Sequence, residues 1–247
     1  MGRIVLVTGT DTAVGKIIVA AWLASLSSRS QRVALVKAIQ TGADPAVDGD
    51  EAFYKAALVG HPVTMTTLAT FPEPLAPPIA ARRSGATVDA QEIARSCLEI
   101  AQAHDLTIVE GSGGSMVPVD ESTSFADLAG ALSADLVVVI RPGLGTLNHT
   151  TLTLEAASRR DLSVEMLVCS GLAAEPRTVE IENLRFLRSH YPEIPLITLR
   201  RLDRASLHRL SLLRPQILGD PPTLAAGLDV TTDGGPAAGL VTTARTA

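Results

Sequence analysis

The chain has 247 residues, enough for one large α/β domain with an extensive core, and its periodic apolar segments run without a break that calls for two. Apolar residues make up 46% and aromatic residues only 3%, so the core must be built from Val, Leu, Ile and Ala, which suits buried parallel strands covered by helices. The formal charge of -5 excludes a global electrostatic pull toward nucleic acid or an anionic membrane, and two cysteines are too few for a disulfide framework or a zinc cluster.

In chain order, the segment from Ile4 to Val7 reads as a first strand, without the basic start and cleavage site of a signal peptide. No apolar run reaches the ~20 residues that cross a bilayer, so a cytoplasmic protein is expected, with Cys97 and Cys169 as structural thiols. Further strand-like runs lie at Arg32 to Ile39, Leu106 to Glu110, Asp135 to Ile140 and Glu165 to Cys169, with a weaker one at Ile194 to Leu199. Helix-compatible segments alternate with them: Lys16 to Ser27, Asp50 to Val59, Asp89 to His104, Leu147 to Arg159, Val179 to Tyr191, and a shorter one at Ala205 to Leu213. This alternation predicts right-handed βαβ crossovers and a P-loop NTPase-like, doubly wound, mainly parallel sheet with helices on both faces. Four prolines between Phe71 and Pro78 predict an irregular loop there, lying across a site. The domain is expected to span residues 1–218, and residues 219–247, rich in Pro, Gly and Thr, to form a loose tail in which Ala225 to Val230 is the part able to dock.

Three clusters carry chemistry. Gly9-Thr10-Asp11-Thr12-Ala13-Val14-Gly15-Lys16 follows the first strand and opens the first helix, where backbone N–H groups and the positive helix end can surround a phosphate. Gly15 allows close backbone approach, and Lys16 brings a mobile charge to the β and γ oxygens. Five residues, rather than four, separate Gly9 from the Gly-Lys pair. The strand before Glu110-Gly111-Ser112-Gly113-Gly114 delivers a carboxylate to the edge of the sheet, where it can ligate Mg²⁺ directly or through water. Lys37, followed by Gln40-Thr41-Gly42, puts an ammonium at the end of the second strand, able to neutralise charge as a phosphoryl group moves. Taken singly, each has a bland alternative: a tight turn, a structural acid, a solvent-facing lysine. Their combination favours the functional reading. His61, His104, His190 and His208 are scattered without ligand spacing and read as surface or packing residues.

These segments resemble the dethiobiotin synthetase family. Gly9-Thr10-Asp11-Thr12-x-Val14-Gly15-Lys16 is similar to its long phosphate loop, Lys37-x-x-x-Thr41 to its Lys-x-x-x-Ser/Thr element, and Val109-Glu110-Gly111-x-Gly113-Gly114 to its metal-binding turn. Leu144-Gly145-Thr146-Leu147-Asn148-His149-Thr150 is similar to its helix-opening segment, and Pro74-x-x-Pro77 and Phe125-Ala126-Asp127 agree more weakly. The likeness runs collinearly from about Ile4 to Ser170.

The resemblance implies an ATP- and Mg²⁺-dependent ligase that joins 7,8-diaminononanoate and CO₂ into the ureido ring of dethiobiotin, releasing ADP and phosphate. It implies catalytic roles for Lys37 and Lys16, and nucleotide contacts from Ala13, Val14, Gly15, Lys16, Ile17 and Ile18, from Asp50, and from Glu110, Gly111, Ser112 and Gly113, with Ser170 and Gly171 near the base. Asp50 and Glu110 would hold the metal, with Asp48 the alternative to Asp50. Thr12 and Thr41 would bind the diamine end, and Gly145 and Asn148 would present the substrate carboxylate with a helix start across a homodimer; ordinary capping is the alternative for the Asn148 and His149 side chains.

Four positions depart from the family pattern. Ile17 stands where the family has a Thr whose hydroxyl ligates Mg²⁺, and an isoleucine cannot ligate; a rate lower by ~10²-fold with the fold intact is expected. Ala38 replaces a proline after the active lysine, and Ser170-Gly171 replaces Asn-Asp at the base. Two rival readings follow: a paralogue that binds nucleotide without turnover, and a P-loop ATPase switch of the chromosome-partitioning and septum-placing kind. The second requires an additional lysine early in the loop, and Thr10-Asp11-Thr12 supplies none.

Overall fold

A computed structural model describes residues 1–42, 49–202 and 210, and the backbone of 216–218 and 231–232. The alternation expected from sequence is present: β1 (Arg3–Gly9), α1 (Lys16–Ser27), β2 (Val33–Thr41), α2 (Gly49–Ala57), β3 (Val63–Phe71), α3 (Pro77–Arg83), α4 (Ala90–Gln102) and β4 (Leu106–Gly114). There follow α5 (Phe125–Ala131), β5 (Asp135–Ile140), α6 (Thr146–Ser158), β6 (Val164–Leu172), α7 (Thr178–His190), β7 (Leu196–Arg200), β8 (Gln216–Leu218) and β9 (Thr231–Thr232).

Among the described residues these strands form one sheet in the order β3-β2-β4-β1-β5-β6-β7-β8-β9. Pairing is parallel from β3 through β7, antiparallel between β7 and β8, and parallel again between β8 and β9. The chain leaves β1 toward β2 and returns to it from β4 before crossing to β5 on the other side. Strand order therefore reverses at β1, and a ligand crevice belongs at its carboxyl end.

Strand alternation sends Ile4 and Leu6 to one apolar layer and Val5 and Val7 to the other. The first layer is closed by α3 to α7, the second by α1 and α2. Buried Trp22 and Leu23, with Ala20, Ala21 and Ala24, show that α1 is apolar around most of its circumference, as suits a helix pressed into the sheet beneath the first loop. Cys97 and Cys169 are fully buried free thiols, and burial pushes both up to about 12, so they act as small apolar residues. No helix among the described residues is long and apolar enough to cross a membrane.

Besides β8 and β9, for which no strand is expected, three elements differ from the sequence expectation. The strand β3 is rich in Thr and stands at the sheet edge with most residues half-buried, so it carries no apolar run to reveal it. Between Phe71 and Pro78 only residues 72–76 are irregular, because Pro77 and Pro78 occupy the first turn of α3, where a missing N–H breaks no helical bond. The short helix α5 begins at a capping box in which Ser124 and Asp127 satisfy each other's backbone N–H groups. The helix expected at Ala205 to Leu213 and the segment Ala225 to Val230 lie outside the described residues, apart from Leu210, which is buried against the α1 layer.

Candidate active site

The loop after β1 closes around its own lysine. Gly15 caps α1 in the left-handed region at φ 99° with no side-chain cap, and Ala13 is also left-handed at φ 59°. A Cβ on Gly15 would overlap the Ser170 hydroxyl, so only glycine lets the loop lie against the end of β6. Lys16 is buried, and its Nζ donates to the Asp11 carbonyl at 3.1 Å, which folds the side chain back along the loop.

Register delivers the other two groups. Val33 pairs with Leu106 and Lys37 with Glu110, while Val7 of β1 flanks Glu110 on its other side. Residues in register on parallel strands share a face, so Lys37 and Glu110 emerge together on the face covered by α1 and α2. Lys37 Nζ lies 3.0 Å from Glu110 Oε1 and 2.7 Å from Asp50 Oδ2, the latter from the first turn of α2. The hydroxyl of Tyr54, one turn further along α2, donates to Glu110 Oε2.

Burial is the largest influence on Lys16, Lys37 and Glu110. It holds Lys16 below the usual lysine range in spite of Glu110. On Lys37 the same pull is exceeded by Glu110 and Asp50, and the ammonium stays above the usual range. Burial pushes the Glu110 carboxyl up, against the attraction of Lys37. With two carboxylates on one ammonium, Lys37 keeps its proton.

These residues line a cleft of about 420 Å³, shared by Thr12, Ala13, Gly15, Lys16, Ile17, Lys37, Gln40, Thr41, Asp50, Glu110, Ser112 and Gly113. Val14 is buried beneath the loop, Ile18 packs on the α1 apolar layer, and Gly111 lies buried against Phe125. Gly42 donates its N–H to the Phe71 and Glu73 carbonyls, which brings the proline-rich segment beside Thr41, although none of its residues lines this cleft. A second cleft of about 470 Å³ begins on the other side of Thr12 and runs past Met116 and Val117 to His149, Leu152 and Thr153 of α6. Ser170 closes the far side of the loop, and Gly171 after it is left-handed near Arg201. Gly145 and Asn148 are exposed at the start of α6 and line neither cleft. The alternative carboxylate Asp48 lies outside the described residues. A larger apolar groove of about 590 Å³ between α4 and α5 is remote from this chemistry.

The donor set suits a small hard cation. Asp50 and Glu110 converge on one positive centre, the Lys37 ammonium, and Mg²⁺ is commonly held by one or two carboxylates with phosphate and water completing its shell. The sequence reasoning missed Tyr54 and Arg141. Tyr54 is legible as the residue four after Asp50 on one helix face. Arg141 links the loop to α6, with Nη1 3.6 Å from Asp11 Oδ2 and Nη2 3.3 Å from His149 Nδ1, and no local pattern announces it. Of the histidines, His61 contacts Ser28, His104 the Ile100 carbonyl and Thr64, and His190 the ring of Phe186, all in packing roles; His208 is outside the described residues.

A sheet that reverses at β1, with a glycine-lysine loop at that point, defines the class as a P-loop nucleotide-binding α/β protein. Solved structures agree on the fold. A protein described as a plasmid partition protein of Borrelia burgdorferi, bound to AMPPNP, superposes with a TM-score of 0.59 at 11% identity over 85% of this chain and 89% of its own. Apo McdA of Cyanothece gives 0.58 at 12% identity over 85% and 91%. A family model described as an AAA domain matches residues 3–202. Curated relatives called ATP-dependent dethiobiotin synthetase are nearer in sequence. That of Rhodococcus erythropolis is 46% identical over 72% of this chain and 79% of its own, and that of Saccharopolyspora erythraea 44% over 70% and 76%. The one from Mycolicibacterium vanbaalenii is 38% identical over 85% and 93%. The chain belongs to the dethiobiotin synthetase family.

Proposed function

We propose that the chain is an ATP-dependent dethiobiotin synthetase that closes the ureido ring from 7,8-diaminononanoate and CO₂. The observation that carries this reading is the convergence of Lys16, Lys37 and Glu110 on one cleft at the switch point of the sheet. A diamine nitrogen captures CO₂ as a carbamate, ATP phosphorylates the carbamate oxygen, and the second amine displaces phosphate to close the ring. No covalent nucleophile from the protein is required, so its task is to orient two amines and to neutralise a moving phosphoryl group.

In this reading the loop from Ala13 to Ile18 holds the phosphates through its N–H groups, with Lys16 on their oxygens, and Ser112 and Gly113 form the opposite wall. Lys37 contacts the carbamate and the γ-phosphate, a role suited to an ammonium that stays charged while buried. Thr12 and Thr41 receive the diamine end. Asp50 and Glu110 would hold Mg²⁺, which would supply charge neutralisation at the phosphates. Gly145 and Asn148, exposed at the start of α6, serve the substrate carboxylate of a partner copy in a homodimer, and Ser170 and Gly171 face the base. A cytoplasmic location and the absence of nucleic-acid partners complete the reading.

The experiment is an assay of ADP release by the purified chain. Release that requires diamine and bicarbonate together supports the ligase; nucleotide binding without such release supports the paralogue that lost turnover. ADP release stimulated by DNA or lipid, and not by diamine, overturns the reading.

A further inference from the structure

The ring of Tyr54 is packed into the α1–α2 apolar layer, and its hydroxyl reaches the Glu110 carboxylate at the bottom of the cleft. A buried phenol needs a partner, but the partner taken here is the acid proposed to bind the metal. Asp50 and Tyr54 are spaced one helical turn apart, so α2 touches the charged centre twice: Asp50 on Lys37, Tyr54 on Glu110. Lys37 in turn bonds both carboxylates. The result is a closed ring of Asp50, Lys37, Glu110 and Tyr54 that ties α2 to β2 and β4.

We propose that Tyr54 is a positioning residue for the divalent cation, fixing the Glu110 carboxylate in the orientation that it needs to act with Asp50. The proposal rests on the reading of Asp50 and Glu110 as the metal-binding pair. When Lys37 turns toward a phosphoryl group, its bonds to both acids loosen, and the Tyr54 hydroxyl is the side-chain contact that still orients Glu110. A carboxylate oxygen has more than one acceptor direction, so Oε2 can accept from Tyr54 without being closed to a cation. Ile17, on the wall of the same cleft, carries no hydroxyl, which leaves more of the orienting to Tyr54.

The test is a titration of the full chain with Mn²⁺, followed by electron paramagnetic resonance, in the presence of a non-hydrolysable ATP analogue. Wild type, Tyr54→Phe and Glu110→Gln are compared. Loss of one outer partner of a metal ligand should weaken Mn²⁺ binding of Tyr54→Phe by about 10-fold, while nucleotide binding in EDTA stays as in wild type. In turnover, kcat should fall and KM for the diamine should hold. A Tyr54→Phe chain that melts earlier yet binds Mn²⁺ like wild type would show a packing role only and overturn the proposal. If Glu110→Gln also binds Mn²⁺ like wild type, the metal reading itself fails. A measurement on the unmutated protein guards against a variant that does not fold. Of the two tyrosines, the 3-fluorotyrosine resonance of Tyr54 should move on addition of Mg²⁺ and analogue while that of Tyr191 stays. A stationary Tyr54 resonance overturns the proposal.

Discussion

Replacing Ile17 by Thr should make the protein faster and less stable at once. Ile17 lies in the first turn of α1, half-buried, packed against the apolar layer on one side and lining the cleft with Lys16, Asp50 and Glu110 on the other. Exchanging a methylene-bearing branch for a hydroxyl at a half-buried site costs on the order of 1 kcal/mol of packing. For a chain of this size, that lowers the melting temperature by roughly 2–4 °C. The hydroxyl it introduces faces the site assigned to Mg²⁺. A single preorganised stabilising group is worth ~10²-fold in rate, or about 2.7 kcal/mol of activation free energy. The two effects have opposite signs, so a general disturbance of the fold cannot imitate the result. The assay is diamine- and bicarbonate-dependent ADP release under saturating Mg²⁺, beside a thermal melt of each protein. Equal rates for the two chains would refute the reasoning, because the cleft would then complete the metal shell without a side chain at position 17.

Three further outcomes follow from the geometry. Glu110→Gln leaves the Lys37 charge buried with Asp50 as its remaining carboxylate; it should destabilise the apo protein by about 3 kcal/mol, the low end for breaking a buried pair, seen as a melting shift of roughly 6–12 °C. Gly15→Ala forces a Cβ into the Ser170 hydroxyl at a left-handed position, so nucleotide affinity should drop with little change in overall helicity, measured by titration with a fluorescent ATP analogue; wild-type affinity would contradict the proposed loop contact. The Asp127 carboxyl is held at about 2 by the Ser124 hydroxyl, with Arg160 adding to it against partial burial. A depressed carboxyl stabilises above its unfolded value of about 3.9 and loses that contribution as pH falls toward the folded value. Asp127→Asn should therefore be less stable than wild type by about 1 kcal/mol at pH 6, after allowance for its exposure, and the gap should close between pH 4 and pH 2 in urea melts.

The parts of the fold that were legible in the sequence are those set by local pattern. The apolar runs of β1, β2, β4, β5 and β6 are buried on both faces and so read continuously; α4 declares itself by its periodicity, and α1 by the apolar run that follows the first loop. The strand β3 escaped because its threonines interrupt Val63, Met65, Leu68 and Phe71 so that no apolar run forms at this edge, and α3 because its two prolines look like breakers until they fall in the first turn. In the site, the loop from Gly9 to Lys16 is contiguous and could be read directly. Tyr54 and Arg141 act at a distance: one reaches Glu110 from a helix 56 positions earlier, marked locally only by its place four residues after Asp50, and the other reaches Asp11 from just past β5 with no local signature.

The pairing of Lys37 with Glu110 lies between these cases, and it shows what sequence parity can and cannot fix. Val33, Leu35 and Lys37 share a face by alternation alone, as do Leu106, Ile108 and Glu110. What alternation leaves open is whether the two sets meet on the same side of the sheet. The register Val33 to Leu106 settles it, and it is enforced by the apolar members: a slip of one residue would turn Leu35 or Ile108 away from the layer under α1 and α2. The burial of Val33, Leu35, Leu106 and Ile108 thus positions the charged pair, although none of the four approaches a ligand. The two charges emerge at the carboxyl ends of strands whose preceding residues are committed to the core, so the site inherits its geometry from packing.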